Sequence, residues 1–122
     1  MKTAVILLSH GSRSYEARTV LEAYQIMLKK AGCYDLVATA SLQFNQPDLP
    51  ASVAEVVKKG AKRIVVAPLF LDQGRHVQDD IPEIIQGERE KFPEVELTLA
   101  GHIGADERVA QVVMDRIREV FD

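Results

Sequence analysis

Two stretches of this chain are apolar without a break, Ala4-Val5-Ile6-Leu7-Leu8 and Ile64-Val65-Val66-Ala67-Pro68-Leu69-Phe70-Leu71. Each is too short for a helix and reads as a strand covered on both faces, which is the condition of a central strand in a parallel sheet. Pro68 has no N–H to give to a neighbouring strand, so regular pairing should weaken there. Two further segments alternate instead. Leu36, Ala38, Ala40, Leu42 and Phe44 interleave with Val37, Thr39, Ser41 and Gln43, and Val95, Leu97 and Leu99 interleave with Glu96 and Thr98. One drier and one wetter face suits strands at the two edges.

Helical spacing fills the gaps. Ala17, Val20, Leu21, Tyr24, Leu28 and Ala31 repeat on one face from Ser14 to Lys30, and Gly32 stops the helix. Asn45-Gln46-Pro47-Asp48 breaks the second strand, and Asp48 is placed to cap a helix with Pro50 in its first turn that Gly60 closes. The polar stretch Asp72-Gln73-Gly74-Arg75-His76-Val77-Gln78 reads as a loop. Asp79 or Asp80 then caps a third helix with Pro82 in its first turn. Val109, Val112, Val113, Ile117, Val120 and Phe121 line one face of a terminal helix.

Strand and helix alternating four times predict an α/β fold: a four-stranded parallel sheet in the order 2-1-3-4, with right-handed crossovers and helices on both faces. This is a small flavodoxin-like three-layer domain spanning residues 1–122. Its switch of winding direction leaves a crevice beyond the C-terminal ends of strands one and three, where such sheets bind ligands.

Composition narrows the function. A net charge of −3 over 122 residues leaves no basic footprint for nucleic acid. No apolar run approaches the roughly 20 residues that span a bilayer. The opening run ends in a His-Gly turn without a small-residue cleavage site, so a signal peptide is not expected and a cytoplasmic location is. The lone Cys33 excludes an intramolecular disulfide and is expected as a small hydrophobe near the surface of the core.

Two histidines fall at the switch point. His10 stands in Ser9-His10-Gly11-Ser12-Arg13, just past the first strand, and His76 follows the third. Neighbouring strands lie about 4.8 Å apart, so the two imidazoles are expected to share one crevice. Imidazole suits cobalt, nickel, iron and zinc. Two histidines with open coordination positions would hold an ion loosely enough to pass it on, and a neutral imidazole can also accept a proton. Gly11 permits a tight turn, and Ser9, Ser12 and the following helix N-terminus are candidates to cradle an anion. Arg13 and Arg75 flank the histidines and would meet a carboxylate-rich ligand. Asp72, Asp79 and Asp80 read as capping and solvated charge, and His102, further along the same edge, as peripheral or structural.

At these residues the chain resembles the CbiX family, the sirohydrochlorin cobaltochelatases, in their short single-domain form. Pro68-Leu69-Phe70-Leu71, Gly74-Arg75-His76-Val77 and Asp80-Ile81-Pro82 carry the resemblance most specifically, with Leu8-Ser9-His10-Gly11-Ser12-Arg13 and the weaker Phe44-x-x-Pro47 beside them. The resemblance implies insertion of Co2+ into sirohydrochlorin during anaerobic cobalamin synthesis, with Fe2+ or Ni2+ used by related members. It also implies that His10 and His76 are the metal-binding and catalytic histidines. No permanently bound cofactor is expected, since the ion is a substrate. The short form is similar to half of a class II chelatase and is expected to pair as a homodimer, the two copies facing one tetrapyrrole. Gln43 departs from the pattern, since many members carry a glutamate there, and an amide neither accepts a proton nor binds a cation as a carboxylate does.

Two other classes of function remain open at this point. A metal or tetrapyrrole carrier would use the same site without turnover. A phosphate-handling enzyme would be expected to show Arg-His-Gly after its first strand, where this chain has Ser9-His10-Gly11.

Overall fold

A computed structural model of the chain describes residues 1–121, with His76 described by its main chain only. Four strands, β1 (Thr3–Ser9), β2 (Leu36–Ser41), β3 (Arg63–Pro68) and β4 (Glu96–Leu99), alternate with α1 (Tyr15–Ala31), α2 (Leu49–Lys58), α3 (Arg75–Lys91) and α4 (Glu107–Phe121). The sheet is parallel throughout in the order β2-β1-β3-β4, as the burial pattern of the strands predicts. Leu7 of β1 faces Thr39 on one side and Ala67 on the other, and the β1–β3 ladder ends at Leu8 opposite Pro68.

The continuous apolar strands are indeed sandwiched. Ala4, Ile6 and Leu8 point to one face and pack with Leu49, Val53 and Val56 of α2 and Ile81 and Ile85 of α3. Val5 and Leu7 point to the other and pack with Leu21 of α1 and Val37 of β2, with Leu28, Ala67 and Leu69 around them. Asp48 caps α2 through its carboxylate, which accepts from the Ala51 N–H at 2.9 Å. Gly32 closes α1 in the left-handed conformation, φ 72°, with its N–H donating to the Lys29 carbonyl.

Four features depart from expectation. β2 stops at Ser41, and its supposed wet face is dry, with Val37 buried under α1 while Phe44 at the other end is exposed. A strand flanked by helices on both faces loses the alternation that an edge position suggests. α3 begins at Arg75, with Gly74 as its N-cap and Pro82 in its interior, so neither Asp79 nor Asp80 caps it. The spacing Val77, Ile81, Ile84, Ile85 explains this, because one continuous stripe packs into the core and outweighs the hydrogen bond that Pro82 removes. α4 buries none of its residues, although its apolar stripe is where the sequence predicts it. Cys33 is an exposed free thiol, not a core residue.

Candidate functional site

The site is assembled at the C-terminal edge of the sheet by two loops tied to each other through the main chain. Past the paired strands, the Leu42 N–H donates to the Ser9 carbonyl (3.0 Å) and the Gln43 N–H to the His10 carbonyl (3.2 Å). The Ser12 N–H donates to Asn45 Oδ1 at 2.8 Å. Ser9 Oγ and Ser41 Oγ share a hydrogen bond of 3.0 Å beneath them. This close approach is possible only because residue 11 is glycine. Gly11 has φ 89°, and a Cβ there would lie 1.7 Å from the Gln43 carbonyl oxygen.

His10 is exposed at the crest of the first loop, and its ring is held from below. It stacks on Phe70, with ring centroids 3.9 Å apart and planes inclined by 23°. Phe70 is buried and lies two residues past β3, in the connection that leads to Arg75 and His76. Its carbonyl accepts from the Ile103 N–H at 3.0 Å, so the segment after β4 is tied to the same point. A face-to-face aromatic pair of this kind fixes ring orientation as well as burying apolar area.

His76 is the second residue of α3. The sequence places it in a loop, and the structure places it in the first turn of a helix. β1 and β3 are adjacent, so the segments bearing His10 and His76 emerge side by side, and Phe70 connects the two. Arg75 opens α3 and is exposed, as is Arg13 on the His10 loop. The Ser12 hydroxyl accepts from the Ser14 N–H at 3.0 Å, and the Ser9 hydroxyl is bonded to Ser41. Both hydroxyls are therefore engaged in holding the loop. Asn45 and Phe70 build the site, yet the sequence offers neither as a site residue. Asn45 sits in a strand-breaking tetrapeptide, and Phe70 ends an apolar run.

Two hollows at this edge are lined in part by the start of the His10 loop. The smaller, about 220 Å³, lies beside His10 over Ser9, Ser12, Ser41, Asn45 and Arg18. The larger is an open groove of about 1120 Å³ between α1 and the segment after β4, lined by Val20, Tyr24, Leu69, Leu71, His102 and Ile103. His102 borders this groove. No three His, Cys, Asp or Glu side chains gather as a metal site among the described residues. The carboxyl group of Asp106 lies immediately before α4. Arg108 donates to both oxygens of Asp106, and the Arg108 N–H adds a third bond, holding the Asp106 carboxyl well below the usual carboxylate range.

The known proteins that this chain resembles are chelatases. The CbiX family model matches residues 4–120. A sirohydrochlorin cobaltochelatase of Methanococcus aeolicus is 31% identical over 94% of this chain and 97% of its own length. The chloroplastic sirohydrochlorin ferrochelatase of Arabidopsis thaliana is 32% identical over 93% of this chain and 51% of its own. Among solved structures, the sirohydrochlorin chelatase SirB from Bacillus subtilis subspecies spizizenii, in complex with cobalt, superposes with a TM-score of 0.91 at 29% identity. That match covers 98% of this chain and 51% of SirB, so the chain spans about half the length of the latter two proteins.

Proposed function

The chain belongs to the CbiX family, and on that footing we propose that it is a sirohydrochlorin chelatase that inserts Co2+ into the macrocycle. The observation that carries the reading is the immobilised His10 imidazole, exposed on the sheet's C-terminal edge and stacked on the connection that leads to His76. His10 and His76 take the ion and accept the protons that the pyrrole nitrogens release on metallation. Ser9, Gly11 and Ser12 shape the loop that presents His10, while Arg13 and Arg75 meet the carboxylates at the macrocycle's periphery. Gln43 lines the same wall through its main chain and leaves proton transfer to the histidines. Cobalt is favoured by the Methanococcus aeolicus relative, which this chain matches over 97% of that protein's length, and iron is the runner-up through the plant ferrochelatase.

The reading includes a homodimer around one shared cleft and a cytoplasmic setting. The first is supported by the exposed apolar stripe of α4 and by the match to half of a longer chelatase. The second is supported by the exposed free thiol of Cys33, which a reducing compartment would preserve. No described helix is long and apolar enough to cross a membrane.

The test is an anaerobic absorbance assay with sirohydrochlorin and Co2+, with Ni2+ and Fe2+ in parallel. The wild type should accelerate insertion over the protein-free rate. The double variant His10→Ala/His76→Ala should lose about 100-fold or more of that acceleration. Undiminished insertion by the double variant overturns the roles of the histidines. Tight macrocycle binding without acceleration for any ion makes the protein a carrier.

A further inference from the structure

The segment between β2 and α2 holds an aromatic side chain that the core does not use. Phe44 is 59% exposed, and among the described residues it is the only non-glycine residue at positive φ, 67°. The Asn45 N–H donates to the Gln43 carbonyl at 2.8 Å, which makes Phe44 the centre of a three-residue turn in the rare, strained hand. Glycine would hold such a turn without strain. The turn is nevertheless pinned to the His10 loop by the bonds from Leu42, Gln43 and Ser12 already described. Its product is one contact: the Arg13 guanidinium lies over the Phe44 ring, 4.8 Å from the centroid. No carboxylate pairs with Arg13 among the described residues.

A guanidinium meets an aromatic ring with its face and a carboxylate with its edge, so one interaction leaves the other free. We propose that Phe44 is a positioning residue, holding the Arg13 guanidinium beside His10 with its N–H edge ready for a carboxylate of the tetrapyrrole. The inference rests on the chelatase reading for the identity of the substrate. It gives Phe44 a task in substrate capture and none in the transfer of protons or metal.

The experiment combines equilibrium titration of metal-free sirohydrochlorin with steady-state Co2+ insertion. Phe44→Leu keeps apolar bulk and removes the ring's charge affinity. It should raise Kd and KM about threefold, the size of an exposed cation–π contact, and leave kcat and the melting temperature unchanged. Phe44→Trp should restore wild-type affinity. Arg13→Ala should weaken binding about tenfold, and Phe44→Leu added to it should weaken binding no further. Independent, multiplying effects of the two substitutions overturn the proposal, as does a Phe44→Trp variant no tighter than Phe44→Leu. Failure of the wild type to accelerate insertion removes the chelatase reading alone, because the titration still measures the coupling of Phe44 to Arg13. A wild type that binds no macrocycle overturns both.

Discussion

Gly11 shows how a single residue type can decide whether a site exists. The His10 loop and the β2–α2 loop approach until main chain meets main chain, and any Cβ at position 11 would fall within the Gln43 carbonyl. Gly11→Ala has to part the loops and occupy a left-handed conformation at once. The expected cost is about 3 kcal/mol, read from urea unfolding, with loss of insertion activity because His10 leaves its place on Phe70. A cost below about 1 kcal/mol would show that the loops separate freely. His10 and Gly11 are both legible in the sequence as a histidine and a turn just past a buried strand. The stack on Phe70 is not, since it joins residues with α1, β2, α2 and β3 between them.

Among the helices, the two whose boundaries or burial departed from local pattern are α3 and α4. Pro82 and the acidic pair Asp79-Asp80 look like a helix start, but Val77, Ile81, Ile84 and Ile85 form a stripe that begins earlier and finds the core. Tertiary burial of that stripe extends the helix back to Arg75 and lifts His76 out of the loop. α4 has the opposite character: a clear stripe without a core beneath it. Its start depends on Asp106, which accepts three bonds from Arg108. These bonds depress the carboxyl's titration. The stabilisation is therefore complete above the ordinary carboxylate range, and is lost as the pH falls below it towards the depressed value. Backbone carbon shifts should show the first turn of α4 fraying in that acid window while α1 stays intact. Asp106→Asn should weaken the turn at neutral pH.

At the scale of the molecule, helices cover the two faces of the sheet unequally. α2 and α3 pack together on one face, α1 alone is buried against the other, and beside α1 runs the apolar groove of about 1120 Å³. On α4, Val112, Val113, Ile117 and Val120 stand open to solvent. An exposed apolar stripe along one helix face marks a surface for a partner, and a second copy is the occupant that the proposed shared cleft requires. Ile117→Asp should convert a two-chain species on gel filtration to one chain, leave far-UV dichroism unchanged, and reduce insertion because the cleft loses its second wall. A wild type of single-chain mass at working concentration would remove the dimer from the reading.

The sequence by itself determined the alternation of strands and helices, the order 2-1-3-4 and the edge on which His10 and His76 lie. Those follow from local properties, the continuity of apolar runs and the period of apolar residues, which a chain carries wherever it goes. It determined the order even though the alternation in β2 is not the face of a wet edge, because the two uninterrupted strands alone fix the centre. Only the tertiary structure decided where β2 ends, where α3 begins, which ring supports His10, and that Phe44 turns outward to meet Arg13. Each of these depends on a contact between segments remote in sequence. An apolar stripe likewise announces that something must cover it. Whether that cover is the chain's own sheet, as for α3, or lies outside the chain, as for α4, is set by how the remaining elements fill the space around the sheet.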